Sequence, residues 1–86
     1  MEPENRRAPT QEEIDEESRR GRRLRILVHL ALCTIAEGEL SVEEAAGVVA
    51  ATRRVALDLF PGKELAFDLI YRPKFQRLIN EVYRLH

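Results

Sequence analysis

Hydrophobic and polar positions along the chain repeat with a helical period, and no segment alternates with the period of a β-strand. The clearest pattern follows Pro73, where five apolar residues recur at spacings that place them on one helix face. These residues are Phe75, Leu78, Ile79, Val82 and Tyr83. We therefore predict an all-α fold, a small bundle of three helices with the third helix broken at Pro73.

Capping residues predict where the first helix begins and ends. Thr10 and Glu13 have the spacing of a capping box, in which each side chain satisfies a backbone amide of the other residue. Gly38 is typical of a helix stop. The predicted helix over residues 10–37 is about 42 Å long, against roughly 30 Å for the diameter of a small domain. Part of it should project or lie along a partner.

A second capping box, Ser41 with Glu44, predicts a helix over residues 42–60 that ends at a type II turn formed by Pro61 and Gly62. One face of this helix is apolar and is expected to enter the core. Its members are Ala45, Val48, Val49, Thr52, Val55, Ala56 and Leu59. Small residues around Gly47 predict that another helix approaches closely there.

The last segment, residues 63–86, is helical in pattern but is interrupted by Pro73. Proline removes a helical hydrogen bond and disfavours helical backbone at the preceding Arg72. Before the break, a shorter apolar stripe is expected to pack inward; it consists of Leu65, Ala66, Leu69 and Ile70.

The predicted domain organisation is a disordered N-terminal tail over residues 1–9 and a single helical domain over residues 10–86. The tail has two prolines and several charges but no apolar period. A chain of 86 residues has a thin core, and a second chain would stabilise it.

The first helix has more apolar surface than one core face requires. One stripe consists of Ile14, Gly21, Leu24, Val28, Ala31, Leu32 and Ile35. Ile26, Leu30 and Cys33 lie nearly opposite, with Leu27 on the flank, so residues 24–36 are apolar almost all round. We predict that these four residues form a homodimer interface. Two alternatives are that the chain covers this helix itself, or that the Leu24–Ala36 face binds a larger protein as its subunit or antidote.

Five arginines follow a run of acidic residues in the first helix: Arg19, Arg20, Arg22, Arg23 and Arg25. Acidic residues four positions earlier, such as Asp15 before Arg19, favour a solvated helix with internal ion pairs. The alternative is a phosphate-binding patch for nucleic acid, although aromatic residues for base stacking are absent there.

The proline break concentrates aromatic and basic residues, and Tyr71, Arg72 and Lys74 are a candidate partner groove. The alternative is a structural hinge in which Asp68 pairs with Arg72 four residues later.

No catalytic arrangement, cofactor motif or metal site is predicted. His29, Cys33 and Glu37 share one helix face, but a cysteine in an apolar run is more typical of packing than of metal binding. The segment over residues 40–60 resembles a DNA-binding helix–turn–helix superficially, yet it lacks a turn signal, so we predict one unbroken helix.

Charge and cysteine content restrict location and partners. With 14 Lys and Arg against 15 Asp and Glu, the net charge is -1, so global attraction to nucleic acid or membrane is absent. The charged N-terminal segment is unlike a signal peptide, and a single cysteine is typical of a reducing cytoplasm. Arginine-rich, lysine-poor usage hints at a bacterial source. The sequence thus predicts a small cytoplasmic interaction or regulatory protein, not an enzyme, with no membrane association.

Overall fold

A computed structural model describes residues 8–84, which form helices joined by short connections and contain no strand. The helices are α1 (Gln11–Ala36), α2 (Val42–Leu59), α3 (Glu64–Ile70) and α4 (Arg72–Tyr83). Because α3 and α4 are the two pieces of the predicted third helix, the all-α bundle is confirmed. The predicted tail falls mainly on residues 1–7, which lie outside the described part of the chain, as do residues 85–86.

Local hydrogen bonds explain why the first two helices begin where they do. The Thr10 hydroxyl accepts a hydrogen bond from the Glu13 amide at 3.1 Å. At α2, the Ser41 hydroxyl accepts from the Glu44 amide at 3.1 Å, and the Glu44 carboxylate accepts from the Ser41 amide at 2.9 Å. This pair is the reciprocal capping box that the sequence predicts.

Two glycines end helices in backbone conformations that other residues rarely adopt. Gly38 follows α1 with φ of 74°, and Gly62 lies in the turn after α2 with φ of 80°. Both values belong to the left-handed region that a missing Cβ permits. They confirm the predicted helix stop and the predicted turn.

The core lies where α1, α2 and α4 meet, and α3 packs on α2 and α4. Each helix contributes buried apolar residues to it: Val28, Ala31, Ile35, Ala45, Ala56, Phe67, Phe75 and Ile79. Tyr83 joins the end of α4 to the α1–α2 connection, since its hydroxyl donates to the Leu40 carbonyl at 2.6 Å. The buried Thr52 hydroxyl donates to the Val48 carbonyl at 2.7 Å, so this buried polar group has a hydrogen-bond partner.

Several predicted core positions are instead exposed. Val55 and Ile14 are 43% and 44% exposed, because no neighbouring helix covers their side of α2 and α1. The expected close approach is found at Ala45, which is fully buried, but not at Gly47, where an added Cβ would meet no atom within 4 Å beyond its own helix backbone.

The break in the third helix lies one residue earlier than the proline rule predicts. Arg72 is the first residue of α4, and Pro73 lies in its first turn, where a missing amide costs no helical hydrogen bond. Tyr71 is the junction, with its amide donating to the Phe67 carbonyl and its carbonyl accepting from the Phe75 amide.

The first nine residues of α1 extend beyond the body of the bundle. Residues 11–19 are all exposed, and the first contact with α2 is made near Arg20. The described part of the molecule is accordingly elongated, 57 Å by 21 Å by 16 Å. We call residues 11–19 the overhang. Within the described residues, no helix has the length and apolar character to cross a membrane.

Candidate interaction surface

The outer face of α1 carries large apolar side chains in water. Ile26 is 53% exposed and Leu30 is 58% exposed, and Cys33 is exposed on the next turn. These residues lie opposite the buried Val28 and Ile35, which is the geometry that the helical period requires. The structure therefore leaves three of the four predicted interface residues uncovered.

Leu27, the fourth predicted interface residue, lies on the flank of this face and is half-buried. On the helix surface it borders the exposed Leu30, three residues later. A second chain lying on Ile26 and Leu30 would therefore be able to contact Leu27 at its margin. We use the name outer face for Ile26, Leu27, Leu30 and Cys33.

His29 and Cys33 contact each other across one helical turn, with 3.6 Å between Nε2 and Sγ. Residues 8–84 contain no group of three His, Cys, Asp or Glu side chains arranged to hold a metal ion. The contact is thus a local one between neighbouring side chains on the helix surface.

The five arginines are distributed around α1 and do not form a single flat patch. At 100° per residue, Arg20 and Arg25 lie well apart on the helix circumference. Arg20 turns inward and places its guanidinium 5.7 Å from the centre of the Phe60 ring, a cation–π contact between α1 and the end of α2. Its Nε is buried without a hydrogen-bond partner.

The other four arginines, Arg19, Arg22, Arg23 and Arg25, are exposed. Arg22 and Arg25 line a shallow depression of about 480 Å³ on α1, together with the carboxylate of Glu17. A carboxylate inside a depression weakens its attraction for phosphate. Asp15 accepts a hydrogen bond from Gln11 at 2.9 Å, a contact that the predicted pairing with Arg19 did not include.

The residues at the proline break are divided between two grooves. Tyr71 lines an apolar groove of about 330 Å³ between α1, α2 and α3. Its ring lies 5.4 Å from that of Phe67, and the Lys74 ammonium lies 5.7 Å from the Tyr71 ring centre. Arg72 instead lines a groove of about 540 Å³ between α2 and α4.

Asp68 pairs with Arg53 of α2, so the expected pairing with Arg72 is not its main contact. Arg53 Nε and Nη2 donate to the two carboxylate oxygens at 2.9 and 3.2 Å. These hydrogen bonds hold the pKa of Asp68 below its ordinary value and raise that of Arg53, with partial burial opposing both shifts. The pair fixes α3 against α2.

A second exposed apolar patch, on α3, was not predicted. Leu65 and Leu69 are 71% and 68% exposed, and Ile70 is 53% exposed, whereas Phe67 is buried. The predicted inward stripe of this segment is therefore wrong. The signal was available, because Leu65 and Leu69 lie one turn apart and far from Phe67 on a helix wheel, and a seven-residue helix can bury only one side.

No family model matches the chain, and no curated protein or solved structure matches it significantly. The chemistry of the exposed surfaces is therefore the basis for assigning a function.

Proposed function

We propose that this protein is a non-enzymatic helical interaction module that forms a homodimer through the outer face of α1. The observation that carries the proposal is the pair of large aliphatic side chains, Ile26 and Leu30, each more than half exposed on adjacent turns of the longest helix. Apolar surface of this kind is stabilised by removal from water.

Self-association explains this exposed apolar surface with a single kind of interface. In a two-fold symmetric dimer each copy presents the same face, so the apolar residues of one copy meet those of the other without a second specialised surface. The core is also thin: Ile35 and Phe75 are the large side chains buried almost completely among the described residues. Burying the outer face adds apolar contacts that this core lacks.

The test is absolute mass by light scattering over a range of protein concentrations, for the wild type and Leu30→Glu. We expect a wild-type dimer of about twice 9.9 kDa and a folded Leu30→Glu monomer, because a carboxylate at the centre of the face would be desolvated without a partner. Leu69→Glu is the matched control, since it makes the same change at an exposed leucine on α3.

Three outcomes would contradict the proposal. They are a wild-type monomer at every concentration, a Leu30→Glu variant that keeps the dimer mass, and dissociation by Leu69→Glu alone. The last would identify the α3 patch as the interface.

The second candidate is a subunit or antidote that binds a larger protein through the Leu24–Ala36 face. The exposure of Ile26 and Leu30 supports this function equally, and it applies if the wild type is monomeric. Nucleic-acid binding through Arg19 to Arg25 is less favoured, because Arg20 is turned onto Phe60 and Glu17 lies among the others. We also propose a cytoplasmic location, since Cys33 is an exposed free thiol. A bacterial source stays a prediction from composition.

A further inference from the structure

Three residues of the outer face, Ile26, Leu30 and Cys33, belong to a longer row with a seven-residue repeat. Residues on this row are separated alternately by four and three positions, which is the spacing of a coiled-coil seam. The row runs Arg19, Arg23, Ile26, Leu30, Cys33, Glu37, and each of these residues is exposed. The centre of this stretch is apolar, its N-terminal side is basic and its C-terminal side is acidic. The same spacing continues toward the N-terminus through Glu16 and Glu12, which are also exposed.

Opposite charges on the two sides of the apolar centre determine the direction of pairing. A parallel pair would place Arg19 against Arg19 and Glu37 against Glu37 of the other copy, and like charges across a helix pair repel. An antiparallel pair places the basic side of each copy against the acidic side of the other, and Glu16 and Glu12 then extend past the end of the other copy's α1. We infer that two copies pair through α1 in antiparallel orientation, with Arg19 of each opposite Glu37 of the other.

The register follows from the same row. Pairing Arg19 with Glu37 also brings Ile26 opposite Leu30 of the second copy, on both sides of the two-fold axis, and Arg23 opposite Cys33. In an antiparallel coiled coil, an a position of one helix faces a d position of the other, and this register has that arrangement. An antiparallel register centred further toward the overhang would match Glu16 with Arg19 but leave Ile26 and Leu30 exposed.

Glu37 supplies an independent reason for a basic partner. It is the C-cap of α1, and the last turn of that helix contains no basic residue. A carboxylate at the negative end of a helix macrodipole is unfavourable by itself. An arginine from a second copy would offset this repulsion, whereas a parallel partner would double it.

This inference rests on the proposed homodimer, and disulfide cross-linking of the full chain separates the two. In the antiparallel register, each Cys33 lies about ten residues, roughly 15 Å, from the other Cys33 along the axis. A disulfide requires Cα atoms about 4.4–6.8 Å apart. Mild oxidation should therefore leave the wild type without a disulfide-linked dimer.

The decisive variant is Arg23→Cys, which places a thiol opposite the native Cys33 of the second copy. We expect it to form a disulfide-linked dimer within the time that leaves the wild type unlinked, and removal of the native thiol in R23C/C33A should abolish the link. R23C/L30E reports random collision, because the proposed dimer is absent from it. All these positions are exposed on a helix, and circular dichroism checks that each variant is folded.

The possible results identify which proposal fails. Rapid linking of wild-type Cys33 would show a parallel pair and overturn the antiparallel inference while leaving the homodimer intact. Equal linking of R23C and R23C/C33A would also overturn it. A monomeric mass for the wild type would refute the homodimer itself, and R23C would then link no faster than R23C/L30E.

Discussion

The two parts of α1, the overhang and the rest of the helix, have the same backbone conformation and opposite surroundings. Residues 11–19 form the overhang and are exposed on every side, whereas the following two-thirds of the helix contributes Val28, Ala31 and Ile35 to the core. The overhang begins at a Thr10 cap and has Glu12 and Glu13 in its first turn, where carboxylates are favoured. Local signals therefore set the length of α1, while the shorter α2 sets how much of it is buried.

Shortening a core side chain should produce the largest difference between the two parts of α1. Ile35→Ala is expected to lower the free energy of unfolding by about 2–5 kcal/mol, because Ile35 has no exposed surface and its removal leaves a cavity. Ile14→Ala makes the same change in the overhang and should cost less than about 0.5 kcal/mol. Urea denaturation at one protein concentration measures both. Equal losses would mean that the overhang is covered in solution.

Removing the helix caps should produce a smaller contrast. Ser41→Ala is expected to lower the free energy of unfolding by about 1 kcal/mol, since it removes the capping box of a helix packed on three others. Thr10→Ala should fray the overhang without the same global loss. Hydrogen exchange then shows faster exchange in the overhang alone. Faster exchange throughout the core of the Thr10 variant would contradict this contrast.

The smallest expected effect is on how the free energy of unfolding changes at acid pH. The charges of the overhang lie within one helix, whereas Arg53 and Asp68 join two helices. Because the pKa of Asp68 is lowered in the folded state, its contribution is present above the ordinary value of 3.8 and is lost as the pH falls through the folded value. As the pH falls below 3.8, the free energy of unfolding should thus decrease more steeply for the wild type than for Asp68→Asn.

Urea midpoints from neutral pH to below 3.8 test this last expectation. Both side chains are partly exposed, so the difference is expected to be small and to weaken with added salt. Parallel pH profiles for the two proteins would show that the ion pair contributes nothing to the α2–α3 contact. Arg53→Lys, which keeps the charge but not the bidentate geometry, should give an intermediate profile.

Much of the fold was predictable because its signals act over short distances. The Ser41 cap needs only Glu44, three residues away, and the amphipathic stripe through Phe75 and Ile79 needs only the helical period. The candidate interface was also predictable in part. Ile26 and Leu30 lie opposite the core stripe whatever α2 and α4 do, so their exposure follows once one face of α1 is buried.

Other features depend on how the helices pack together, which local sequence patterns do not specify. Asp68 has Arg72 one turn away, yet it pairs with Arg53, fifteen residues earlier, because packing of α3 on α2 brings the two together. Tyr71 and Arg72 are adjacent in sequence but line different grooves, because Tyr71 is the junction between α3 and α4 while Arg72 begins α4 on the side that faces α2. Leu65 and Leu69 face solvent because the side of α3 carrying Phe67 is the one that α2 and α4 cover.

The sequence alone determined the number of helices, their caps and the excess of apolar surface on α1, because these depend on hydrogen bonds and periodicity within a few residues. Tertiary structure decided which apolar faces are covered, how far α1 extends beyond the bundle and which arginine Asp68 binds. Those outcomes depend on the relative lengths and orientations of helices that meet only after folding, where burial of one face necessarily exposes another.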